Sequence, residues 1–132
     1  MRNNQDNFFI KNLTRSPLPR VAFSDIKNSA LGDKHELSLV FIGNTRSRAL
    51  NKKFRNKDYS TNILSFTLTK NSGEIFIDLA KCRKEYEKFE RKWDNFIAFL
   101  FIHGLVHLKG YEHGSTMEGL EDKYLKSFLS EK

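Results

Sequence analysis

A chain of 132 residues with 39% hydrophobic side chains, 12 Phe among them, and only 2 Pro and 7 Gly can bury a core of its own, which excludes disorder as its main state and predicts one domain. The 23 Lys+Arg against 16 Asp+Glu give a formal net charge of +7, which suits a polyanionic partner and equally suits solubility alone. Cys82, the single cysteine, excludes internal disulfides and thiolate zinc clusters and points to a reducing compartment, the cytoplasm.

In chain order, Phe8 to Lys11 reads as a short strand. Ser16 before Pro17 offers an N-cap and a first-turn proline for a helix carrying Val21, Ala22, Ile26 and Ala30 at helical spacing. Leu37 to Ile42 reads as a strand, and Gly43-Asn44-Thr45 turns it into a helix of about ten residues with Ala49, Leu50 and Phe54 inward. Ile63 to Leu68 and Glu74 to Leu79 read as paired strands across a turn at Thr69 to Gly73. From Ala80 the spacing of Cys82, Tyr86, Phe89 and Trp93 predicts an amphipathic cover helix. Asp94 is the expected N-cap of Asn95 to Lys109, apolar nearly all round and so a buried central helix, which Gly110 ends. Ser115-Thr116-Met117-Glu118 is a capping box for a last helix with Met117, Leu120, Tyr124 and Phe128 on one face. The series predicts an α+β fold, a mixed β-sheet of about four strands with helices on one side. The longest apolar run, Phe96 to Ile102, is far short of the roughly 18 residues a membrane span needs, and MRNNQDN lacks the apolar centre of a signal peptide.

Three histidines fall together in His103-Gly-Leu-Val-His107-Leu-Lys-Gly110-Tyr-Glu-His113. Positions 103 and 107 are one helical turn apart, which sets their β-carbons about 5–6 Å from each other on one face and lets both imidazoles reach one metal. Gly110 stops the helix and lets His113 swing back as a third ligand. Three nitrogens leave the fourth tetrahedral position open, the arrangement of a catalytic zinc, and the ion's unneutralised charge suits an anionic substrate. Without a metal, two imidazoles on an otherwise apolar helix would need other polar partners. His35, in the polar stretch GDKHE, reads as surface, and Cys82 as core. Zinc peptidases carry H-E-x-x-H with Glu as general base; here Gly104 stands in that place, so the peptidase base is missing. A glycine inside a helix asks for a reason: close approach of a strand or substrate above the metal, or tight helix packing.

HGLVHLKGYEH resembles the H-G-x-L-H-L-x-G-Y-D-H signature of the YbeY family of bacterial endoribonucleases. Leu50-Asn51 with the stretch from Phe54 to Phe66 (FRNKDYSTNILSF) resembles the family's L-N-x-x-y-R-g-K-d-x-p-T-D/N-V-L-S-F segment, Gly73 to Ile77 its G-D-I-x-I strand, and Met117 with Glu121 its M-x-x-x-E. The resemblance covers roughly Leu37 to the C-terminus. It implies that residues 1–132 form one α+β domain with a zincin-like metal-binding helix in its centre and one Zn²⁺ ion per chain. It further implies zinc-dependent cleavage of single-stranded RNA in ribosomal RNA processing, at the 3′ end of the small-subunit rRNA, and in ribosome quality control in the bacterial cytoplasm. Ribosomal RNA and the ribosome or its proteins are the implied partners. Carried over by position, His103, His107 and His113 are metal ligands, and Arg55, Lys57 and His103 act in catalysis. A guanidinium can hold a phosphate in a fork and steady the charge that grows on it, although spacing alone would make Arg55 a solvated helix end. Thr61, Asn62 and Ser65 either cap structure or line the cleft. Glu112 stands where the family usually has Asp, Ser60 replaces a common Pro, and the first thirty or so residues match no motif.

Two other readings accompany this one: an RNA- or ribosome-binding module whose metal is structural, and a zinc peptidase-like hydrolase, which Gly104 disfavours. For a nuclease, the attacking group is either metal-activated water or the RNA's own 2′-hydroxyl.

Overall fold

The computed structural model describes residues 7–110 and 115–128. Its elements run β1 (Phe8–Asn12), α1 (Phe23–Leu31), β2 (Glu36–Ile42), α2 (Asn44–Arg55), β3 (Ile63–Thr69), β4 (Ser72–Asp78), α3 (Leu79–Glu85), a short 3-10 helix (Tyr86–Phe89), α4 (Trp93–Leu108) and α5 (Ser115–Phe128). The sheet order is β1-β2-β4-β3. The connections through α1 and α2 are long enough for parallel crossovers, and β1 pairs parallel with β2 and β2 with β4. The short turn after β3 makes it antiparallel to β4 on the sheet edge. Over the described residues the architecture is thus an α+β domain with a four-stranded mixed sheet and five α-helices, as the alternation of segments predicts.

Leu37, Leu39 and Phe41 of β2 and Ile75 and Ile77 of β4 alternate onto one face and are almost wholly enclosed. Against that face lies α4, buried from Phe96 through Phe101 except at Phe99, with Phe101 edge-on to Phe23 at 5.1 Å and stacked near Phe8 at 6.0 Å. Each such side chain removed from water contributes about 1.5–3 kcal/mol, so α4 is the centre of the core. Gly110, at φ 97°, closes the helix as expected. Leu120, Tyr124 and Phe128 of α5 pack on the same core. The side chain of Met117 and the capping-box contacts lie outside the described residues.

Five expectations about the elements need correction. The first helix begins at Phe23, not after Ser16, because a residue preceding proline avoids helical angles and Pro17 and Pro19 impose this on Ser16 and Leu18. Asn12 instead holds that stretch as a loop, its Nδ2 donating to the Ser16 carbonyl at 2.8 Å and its Oδ1 accepting from the Thr14 N–H at 2.9 Å. The inward face of α2 is Ser47 and Asn51, with Leu50 half-buried, whereas Ala49 and Phe54 are exposed. Phe54 lies against Phe66 at 5.2 Å, and Phe66 lies against Phe76 at 6.0 Å. Alternation turns those two rings away from Ile63, Ile75 and Ile77, so α2 meets the sheet on the face opposite α4 and the helices are not all on one side. The stretch from Ala80 to Trp93 is not one helix: α3 starts from an Asp78 cap, whose Oδ1 accepts from the Lys81 N–H at 2.9 Å, and the chain reverses at Glu90 with φ 55°. The regular aromatic spacing instead folds back, Tyr86 onto Trp93 at 5.5 Å and Phe89 onto Phe96 at 5.1 Å. Asp94 sits inside the first turn of α4, where it accepts from the Arg20 N–H at 3.0 Å.

Cys82 is buried, as expected, and burial pushes its thiol pKa up. His35 is half-buried, not a surface residue, and among the described residues its enclosed Nδ1 has no hydrogen-bond partner. Among the described residues no helix is long and apolar enough to cross a membrane.

Candidate metal and phosphate site

Helical geometry stacks His103 and His107 on one face of α4, toward the edge strand β3. Their ring centroids are 4.7 Å apart, nearly perpendicular at 78°, and their Nε2 atoms are 3.2 Å apart. The Nδ1 of His103 is 2.6 Å from Oε2 of Glu121, a carboxylate buried on α5. An ionised carboxylate only accepts, so the hydrogen-bond logic assigns the ring proton of neutral His103 to Nδ1 and its lone pair to Nε2. That lone pair points at the Nε2 of His107, an approach that requires a proton or a cation between them.

Gly104 lies beneath the pair. A Cβ there would stand 3.0 Å from Ile75 Cδ1, 3.1 Å from Ile63 Cδ1 and 3.1 Å from the Ser65 hydroxyl. Close approach of the strands, the first of the readings offered by the sequence, therefore accounts for this glycine, and it brings β3 under the histidines.

Arg55, in the last turn of α2, reaches over the sheet edge. Its Nη2 donates to the Ser65 carbonyl at 2.9 Å, and its guanidinium lies 5.0 Å from the centre of the Phe66 ring. Arg55, Ser65, Thr67, His103 and His107 line one cleft of about 300 Å³. Three elements distant in sequence thus converge: an imidazole pair, a guanidinium and the edge of a strand.

Other sequence candidates are elsewhere. Lys57 donates its backbone N–H to the Asn51 carbonyl at 3.2 Å, and its exposed side chain is not part of the cleft lining. Thr61 and Asn62 hold structure: the Thr61 N–H donates to the Ser47 hydroxyl at 3.0 Å and Asn62 Nδ2 to Glu85 at 3.0 Å. His113 lies outside the described residues, and among those described no group of three or more His, Cys, Asp or Glu could hold a metal ion. Sequence reasoning gave Glu121 no role. Its signal was an acid four residues after Met117 and three before Tyr124, on the apolar stripe of the last helix.

A family model described as Endoribonuclease YbeY matches residues 2–129. The chain belongs to the YbeY family. Relatives named Endoribonuclease YbeY include that of Phytoplasma mali, 35% identical over 118 residues that cover 87% of this chain and 75% of the relative. That of Aster yellows witches'-broom phytoplasma is 34% identical, covering 71% of this chain and 74% of the relative. The solution structure of TM1509 from Thermotoga maritima matches with a TM-score of 0.64 and 21% identity, covering 90% of this chain and 87% of that one. It shares the fold. The YbeY match extends through the first thirty residues, where no motif is legible, so β1 and α1 belong to the family domain as well.

Proposed function

We propose that residues 1–132 form a single-domain, metal-dependent endoribonuclease that hydrolyses phosphodiester bonds in single-stranded RNA. The observation that carries this reading is the convergence of Arg55 with His103 and His107 on one cleft. The chain would act in the cytoplasm on ribosomal RNA, at the 3′ end of the small-subunit species, and in ribosome quality control, with the ribosome or its proteins as partners.

The donor set fits a metal. Two nitrogens bound tetrahedrally to zinc at about 2.0–2.1 Å would lie roughly 3.3–3.4 Å apart, and the Nε2 atoms of His103 and His107 are 3.2 Å apart. Glu121 on the far side of the His103 ring is the carboxylate that commonly orients a metal-binding histidine. His103 and His107 would hold a Zn²⁺ ion with His113 as third ligand, which makes α4 a zincin-like helix. When bound, the ion supplies Lewis acidity toward a phosphate oxygen. Arg55, anchored by one nitrogen to the Ser65 carbonyl, keeps other N–H donors of its fork for phosphate oxygens and for the charge that grows on them. Lys57, exposed just past the end of α2, adds positive charge that draws the backbone in. His103 acts in catalysis through the ring position that Glu121 fixes. No side chain at Gly104 can serve as a peptidase base.

Metal content measured beside cleavage of a labelled single-stranded RNA tests this. Wild type is expected to hold one zinc and cut. His107→Ala should lose both metal and cleavage, and Arg55→Ala should keep the metal while cleavage falls about 10²–10³-fold. Intact RNA with the metal-loaded protein, or variants that cut as well as wild type, would refute the nuclease; RNA bound but uncut would favour a binding module with a structural metal. A cyclic phosphate on the product would identify the 2′-hydroxyl as the attacking group.

A further inference from the structure

Residues 44–73 carry Arg46, Arg48, Lys52, Lys53, Arg55, Lys57 and Lys70 against Asp58 as their one acid. That stretch alone accounts for six of the seven units of net positive charge, and the rest of the chain is nearly balanced. Most of the surplus lies on α2 and the segment that follows it. Arg48, Lys52 and Arg55 fall at i, i+4 and i+7, so they form one stripe about 10 Å long. The stripe joins two cavities: Arg55 faces the histidine cleft, while Arg48 and Lys52 line a groove of about 630 Å³ between α2 and Asp58-Tyr59-Ser60.

Tyr59 in that groove is 55% exposed, yet its backbone is held, its carbonyl accepting from Asn51 Nδ2 at 2.9 Å. The core makes no use of this ring. Asp58 accepts from Nε of Arg48 at 2.8 Å, a pair so open to water that it adds little stability but does orient the guanidinium, whose terminal nitrogens form no other pair among the described residues. An oriented guanidinium, a lysine and a fixed exposed aromatic ring in one groove match the phosphates and bases of a single strand, since every base has a face that stacks on an aromatic ring.

We propose that this groove holds the single-stranded RNA flanking the cleaved bond, with phosphates on Arg48 and Lys52 and a base stacked on Tyr59. The inference rests on the ribonuclease reading, because it takes the histidine cleft as the place where the strand is cut.

Binding of a fluorescent 12-nucleotide single-stranded RNA, followed by anisotropy across a salt series with zinc present, tests it together with cleavage of the same RNA. Tyr59→Ala should weaken binding about tenfold, and Tyr59→Phe should restore it. Arg48→Ala with Lys52→Ala should flatten the slope of log affinity against log salt by about 1.4, two phosphate contacts at roughly 0.7 each. In cleavage, the loss should appear in KM more than in kcat. All three side chains are exposed and circular dichroism should be unchanged. If wild type cuts the RNA and these variants bind within twofold of it with the same salt slope, the groove is wrong and the nuclease stands. If the variants lose binding as described but wild type leaves RNA intact, the groove stands and the nuclease is wrong. No RNA binding by wild type overturns both.

Discussion

Gly104 gives up about 1 kcal/mol of helix propensity relative to alanine, and in return α4 comes down onto the strands that floor the cleft. The tips of Ile63, Ile75 and the Ser65 hydroxyl occupy the space a side chain would need. Gly104→Val is therefore expected to destabilise the fold by about 1–3 kcal/mol in urea unfolding, through overpacking against β3 and β4. An unchanged midpoint would mean that those side chains can move aside. The sequence marks this glycine as needing an explanation, but the atoms that supply it lie some thirty to forty residues away along the chain. Separation along the chain also hid the role of Glu121: an acid on the last helix is visible in the sequence, whereas its meeting with His103 depends on how α5 docks on α4. The imidazole pair was legible because both members belong to one helix, whose geometry is fixed in advance.

At the level of elements, apolar periodicity served where an element buries carbon and misled where it buries hydrogen-bonding groups. The inward face of α2 is polar because Ser47 and Asn51 satisfy the backbone of Tyr59 and Thr61, a need that counting apolar residues does not register. Ser47→Ala removes the acceptor of the Thr61 N–H. It should cost about 1 kcal/mol of stability and speed hydrogen exchange at the Thr61 amide more than at the core of β4; uniform exchange across both would argue against a pinned segment. The aromatic series from Tyr86 to Phe96 shows a second ambiguity. A continuous helix and a helix that folds back both bring rings together, and only the reversal at Glu90 distinguishes them.

For the whole molecule, the alternation of strands and helices was enough to predict a mixed sheet, since long connections permit parallel neighbours and a short turn requires an antiparallel one. Strand order and the face on which each helix lies depended on packing between distant segments. A stability effect of pH follows from His35, taken from sequence as a surface residue. Burial lowers its pKa, and the charge of Lys27 lowers it further. The unfolded chain therefore takes up this proton more readily than the folded one. The stability tied to neutral His35 is full above about pH 6.5 and is lost progressively as pH falls from there through the lowered folded-state value. Between pH 7.5 and 5.5 the urea midpoint of wild type should fall more than that of His35→Gln, and parallel falls would assign the acid sensitivity to other groups.

The segregation of charge onto α2 and its following segment also makes the molecule an electric dipole. In a polyanion's field such a body is turned before it touches, so encounters begin with the cleft side forward and the rate of productive collision rises as ionic strength falls. The rest of the chain, nearly balanced in charge, adds little to that pull.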